Sequence, residues 1–175
     1  AGPIRKELGI RTVFNILGPM TNPAGAKRQV MGVFRKDLTQ TIAQVLSNLG
    51  TEYAWIVHGD QGIDEISLTG ETHIVELKGG KISERVIRPE EFGFTPCEMD
   101  DLKSGEIRES AEITLRILKN EEKGPKRDWV IFNAAAAILV GEHAKDFPGA
   151  IDAARASLES GAAYEKLQGL IKIKQ

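Results

Sequence analysis

In "HGDQGIDEISLTG", residues 58–70, three carboxylates fall within six positions: Asp60, Asp64 and Glu65, the last two adjacent. Neighbouring side chains on a regular strand point to opposite faces, but in a loop both can turn toward one point. Paired hard oxygen ligands without His or Cys as co-ligands suit Mg²⁺, which takes one or two carboxylates and fills its other positions with water and phosphate. The same residues also suit an acidic turn that opens a hairpin, and local chemistry alone favours that plainer reading.

A second stretch, "GIRTVFNILGPMTNPAG" at residues 9–25, packs Gly18, Pro19, Asn22 and Pro23 together, with Arg5, Arg11, Lys27 and Arg28 around them. Proline disfavours helix at the preceding residue and glycine permits close backbone approach. These residues predict an ordered, non-helical loop over 15–25. It is either a holder for an anionic small molecule or a connection between elements. His58 reads as a strand-end histidine, and His73 and His143 have no partner evident in the sequence. There is no GxGxxG, P-loop, nucleophile elbow or Cys/His pair, and no catalytic acid or base is assigned.

These loops need elements to hold them. "QVMGVF" (29–34) and "YAWIVHG" (53–59) are short apolar runs that read as buried strands. Between them Asp37 is placed to cap a helix through Leu38, Ile42, Val45, Leu46 and Leu49, which Gly50 ends. Strand, helix and strand in this order predict a crossover between parallel strands, with the acidic loop at the C-terminal edge where open α/β sheets bind ligands. "EISLTG", "THIVELKGG" and "KISERVIRP" alternate apolar and polar residues and predict antiparallel strands. Helices follow: 106–118 with Ile107, Ala111, Leu115 and Leu118 along one side, a buried helix over 129–142, then 148–159 and 162–173 separated by Gly161. The fold class is α/β, a mostly parallel sheet with flanking helices, an antiparallel hairpin region and a helical C-terminal end.

The 175 residues suit one domain, and the single cysteine, Cys97, excludes an internal disulfide. No apolar run approaches the roughly 18 residues of a membrane span. Charge is uneven. Residues 1–36 hold seven Lys or Arg against one acid, leaving sixteen basic and twenty-four acidic residues in the remainder. That acidic body argues against general nucleic-acid binding, while a local basic region suits a small polyanion.

Taken together, "RKELGIRTVFNILGPMTNPAGAKRQVMGV", "VHGDQGIDEIS", "PEEFGF" and "VIFNAAAAILVG" resemble anthranilate phosphoribosyltransferase. The resemblance runs over essentially the whole chain but covers the C-terminal half of that family. Residues 1–175 are therefore expected to be the C-terminal part of the catalytic α/β domain, of the nucleoside phosphorylase/phosphoribosyltransferase-like kind. The N-terminal helical domain and the glycine-rich diphosphate loop are expected to lie outside it, and the segment alone is expected to be inactive. The resemblance implies a pentosyltransferase of tryptophan biosynthesis that joins anthranilate to phosphoribosyl diphosphate (PRPP) and releases diphosphate. It implies Arg5 at the anthranilate carboxylate, with Arg11 as the neighbouring alternative. Gly18 and Pro19 would line the aromatic substrate's path, and Asp64 and Glu65 would bind Mg²⁺ on PRPP. A cytoplasmic homodimer without nucleic-acid or membrane partners is implied for the full-length protein. A nucleoside phosphorylase and a non-catalytic, nucleic-acid-binding relative of the same fold are the competing readings.

Overall fold

A computed structural model describes residues 14–173. A short helix α1 (Phe14–Met20) leads into strand β1 (Arg28–Gly32), helix α2 (Leu38–Asn48) and strand β2 (Tyr53–Gly59). After the acidic loop come β3 (Thr72–Lys78) and β4 (Lys81–Ile87), then α3 (Met99–Leu102), α4 (Ile107–Leu118), α5 (Pro125–Val140), α6 (Phe147–Glu159) and α7 (Ala162–Ile173). The sheet order is β1-β2-β3-β4. β1 and β2 are parallel, as the crossover pattern requires, and β2–β3 and β3–β4 are antiparallel. The expected α/β architecture with a helical C-terminal end is present.

β2 reads as a continuous apolar run because both its faces are covered. Ala54 and Ile56 face α2, packing with Met31, Ile42, Ala43, Leu46, Val75 and Leu77. Tyr53, Trp55 and Val57 face the C-terminal helices and join Ile74, Ile131, Phe132 and Phe147. Phe147 anchors this second layer, with its ring 5.0 Å from Trp55, 5.0 Å from Phe92 and 5.5 Å from Phe132. Pro125 opens α5 at a position where the missing N–H costs nothing, and α5 lies against the sheet.

Four expectations are corrected. Residues 15–25 are not wholly non-helical: Phe14–Met20 is a helix with Pro19 inside it. A helix of seven residues has few internal amide bonds, so proline forfeits little, and Thr21 N–H closes the end on Leu17 O at 2.9 Å. Asp37 occupies the cap position of α2 without making a cap bond; its carboxylate instead engages the Arg35 guanidinium. In α4 the buried residues are Ile113 and Ile117, while Ile107 is 90 % exposed and Leu115 and Ala111 also face out. Of the expected residues only Leu118, half-buried at the helix end, packs against the core.

The fourth correction concerns "EISLTG". It forms no strand, although Ile66, Ser67 and Leu68 are completely buried. Its backbone groups are satisfied from elsewhere, as buried amides must be. Asn133 and Trp129 on α5 bond Ile66, the Thr72 hydroxyl accepts from Ser67 N–H at 2.8 Å, and Cys97 N–H donates to Leu68 O at 3.2 Å.

Candidate functional site

The acidic loop leaves β2 at Gly59 and turns sharply. Gln61 (φ 59°) and Gly62 (φ 82°) both take the left-handed conformation. Gly59 N–H then donates to Ile63 O at 2.8 Å, and Asp60 N–H donates to Glu71 O at 2.8 Å. The chain is thereby returned over the C-terminal ends of β1 and β2. Two glycines there admit it. A Cβ on Gly32 would lie 1.5 Å from the Asp64 carbonyl oxygen, and one on Gly59 would lie 2.6 Å from that of Glu65. Backbone goes inward and side chains go outward: Asp64 and Glu65 are both exposed.

This arrangement has an electrostatic consequence. The Glu65 carboxyl is pushed above its ordinary value, first by partial desolvation and then by the Asp64 charge beside it. Bringing a divalent cation to the pair would offset both. The donors are hard oxygens, which fits Mg²⁺. Among the described residues no group of three or more His, Cys, Asp or Glu is arranged to hold a metal. The pair can therefore supply part of a coordination shell, with water and substrate oxygens completing it.

The other predicted residues lie elsewhere. Arg5 and Arg11 fall outside the described residues. Gly18 and Pro19 are exposed on α1. Pro19 borders a cavity of about 150 Å³ with Met20, Lys27, Leu46, Leu49 and Thr51. Lys27 precedes β1, whereas Gly32, under Asp64, ends it, so Pro19 and the acidic pair sit at opposite ends of that strand. The structure does not bring these two groups together.

Sequence reasoning missed a neighbouring feature. An open cleft of about 730 Å³, lined by Lys36, Thr39, Gln40, His58, His73 and Glu84, lies beside the loop. His58 and His73 are direct partners across β2 and β3. His58 Nδ1–H donates to Val33 O at 2.8 Å, a tautomer fixed by the carbonyl acceptor. His73, without evident partner in the sequence, has Glu84 Oε2 at 3.9 Å. Burial holds its pKa below the ordinary value, and the Lys36 charge adds to this. The available signal was positional, since both histidines lie at matching ends of predicted neighbouring strands.

The chain belongs to the glycosyl transferase family, a/b domain, whose model matches residues 1–164. It is similar to the anthranilate phosphoribosyltransferase of Thiobacillus denitrificans, 48% identical over 171 residues that make up 98% of this chain and 50% of that protein. The crystal structure of the enzyme from Thermus thermophilus superposes with a TM-score of 0.86 at 42% identity, over 95% of this chain and 49% of that one. The Saccharomyces cerevisiae enzyme in complex with PRPP and Mg gives a TM-score of 0.85 at 28% identity, over 95% of this chain and 48% of that one. Its complex with 4-fluoroanthranilate gives 0.87 at 28% identity, over 98% of this chain and 50% of that one. The chain thus spans about half the length of the relatives it matches.

Proposed function

We propose that this chain is the C-terminal part of the catalytic α/β domain of an anthranilate phosphoribosyltransferase. The reaction transfers the phosphoribosyl group of PRPP to anthranilate and releases diphosphate. The observation that carries this reading is the Asp64–Glu65 pair, presented outward from a backbone seated on Gly32 and Gly59. Relatives of the same fold support it, one of them solved with PRPP and Mg and with 4-fluoroanthranilate.

In this reading Asp64 and Glu65 would hold the Mg²⁺ that accompanies PRPP. When bound, that ion supplies charge neutralisation for the departing diphosphate. The remaining contribution of the chain is placement. Displacing diphosphate from the ribose carbon develops positive character on the sugar, and an amine held close to that carbon needs little further assistance. The anthranilate amine is not protonated at neutral pH and needs no strong base, which suits a site without an assigned acid or base. Arg5 is proposed to receive the anthranilate carboxylate, because a guanidinium fork bonds both oxygens. Gly18 and Pro19 are proposed to line the path of the aromatic ring. The full-length protein is proposed to be a cytoplasmic homodimer.

The test is the double change Asp64→Asn and Glu65→Gln in the full-length gene product, assayed by loss of anthranilate fluorescence. The expected outcome is a raised Mg²⁺ requirement and a lower kcat. An unchanged magnesium dependence would remove the pair from the mechanism.

A further inference from the structure

We propose that Asn133 is a positioning residue for the Asp64–Glu65 pair, assisted by Trp129; this rests on the metal role given to that pair above. Asn133 sits on α5 and is half-buried. Its Oδ1 accepts from Ile66 N–H at 2.8 Å, and its Nδ2 donates to Ile66 O at 2.9 Å. The orientation of the amide is forced, because only the oxygen can face an N–H group. One side chain thus supplies both bonds that a neighbouring strand would have made to Ile66. Trp129, one helical turn earlier, adds its indole N–H to the same carbonyl at 2.7 Å. The Trp129 carbonyl in turn accepts from Asn133 Nδ2 at 3.1 Å, which orients the amide.

Ile66 follows Glu65 directly and is itself fully buried. On the sheet side, the carbonyls of Asp64 and Glu65 rest where Cβ atoms on Gly32 and Gly59 would collide. On the helix side, the next residue is bonded at both backbone groups. The two carboxylates are therefore held on a segment fixed at either side, yet they keep their side chains free to meet a ligand. Neither Asn133 nor Trp129 carries a charge or reaches the carboxylates. Their effect is transmitted through one peptide unit. Partners bonded directly to a ligating side chain typically change metal affinity by about 10–100-fold when removed, and a partner acting through the adjacent backbone should act at or below the lower end.

The experiment uses the full-length gene product with Asn133→Ala and with Trp129→Phe, which keeps an aromatic ring but loses the indole donor. Mn²⁺ affinity is measured by electron paramagnetic resonance in the presence of PRPP, and Ile66 amide exchange by NMR. Asn133→Ala is expected to weaken Mn²⁺ by up to about 10-fold and to speed exchange at Ile66, with β2–β3 amides and the KM for anthranilate unchanged. Trp129→Phe is expected to shift both readouts in the same direction by less. Should Asn133→Ala fail to fold, the Trp129→Phe measurement decides alone. A folded variant with native Mn²⁺ affinity and native Ile66 exchange would overturn the proposal. The double change Asp64→Asn and Glu65→Gln separates the two failures. If it abolishes Mn²⁺ binding while the α5 variants do not alter it, only the positioning role falls. If it leaves binding intact, the metal role of the pair falls, and the positioning role with it.

Discussion

Replacing Gly32 with alanine isolates the closest approach in the acidic loop. The backbone at Gly32 is not left-handed, so alanine meets no conformational penalty there and the obstacle is space alone. An added Cβ would stand 1.5 Å from the Asp64 carbonyl oxygen, 2.4 Å from its carbon and 3.1 Å from its Cα. Heavy atoms essentially never approach a Cβ within 3.0 Å, so loop and strand must separate by at least about 1.5 Å. Neither side yields easily. Gly32 is in register with Val57 of β2, and the loop is tied by the Gly59–Ile63 bond and by Asn133. Overpacking of this kind costs about 1–3 kcal/mol, and backbone on both sides of the contact favours the upper end. Displacement on the 1 Å scale at a reacting centre costs on the order of 10²-fold in rate. The expected result for Gly32→Ala in the full-length gene product is a lower urea midpoint, with turnover reduced about 10²-fold and a raised Mg²⁺ requirement. Gly59→Ala, with its nearest contact at 2.6 Å, should show a milder form of the same defect. A Gly32→Ala protein with native midpoint and native magnesium dependence would refute the idea that the loop is seated on this glycine.

Three further outcomes follow from single side chains. Because the folded state raises the Glu65 pKa, Glu65 contributes its stability below the ordinary carboxylate range and loses it as pH rises through the folded value. Glu65→Gln should therefore unfold at a higher temperature than the parent at pH 7. That advantage should disappear below roughly pH 4, and an advantage that persists at low pH would contradict the assignment. Gly169→Ala, in an exposed position of α7 with no atom within 4 Å of the added methyl, should stabilise the chain by about 0.5–1 kcal/mol in urea denaturation. Phe147→Ala removes the ring shared by Trp55, Phe92 and Phe132 and should cost about 3–5 kcal/mol by the same measurement; a loss under about 1 kcal/mol would mean the helical layer repacks without it.

The sequence makes the sheet legible because its strands are short apolar runs with glycine or charge at their ends. β2 shows both covered faces in "YAWIVH", whereas β3 is largely buried and β4, exposed at nearly every position, is recognisable by its β-branched residues and the Gly79–Gly80 turn before it. Local pattern failed where partners came from a distance. Ile66, Ser67 and Leu68 alternate like a strand, but side chains of α5, 63 and 67 positions away, take the bonds of Ile66 that a ladder would have used. In α4 the apolar residues offered two inward faces, and only the arrangement of the surrounding helices selects Ile113 and Ile117.

The candidate site was legible for the same reason in part only. Asp64 and Glu65 stand out as adjacent carboxylates in a glycine-bearing loop, although the same pattern suits an acidic turn that opens a hairpin. The seating that the proposed metal role requires is hidden from local inspection. Gly32 reads as an ordinary residue at the end of β1, and its lack of a side chain matters only once Asp64, 32 positions later, folds onto it. "NAAAA" reads as a small-residue face for close packing, and nothing in its spacing shows that its asparagine reaches Ile66. Chemistry at a loop depends on residues that exclude motion, and such residues carry no chemical signature of their own. They become recognisable only when the space they leave empty, or the backbone they bond, is seen to be occupied.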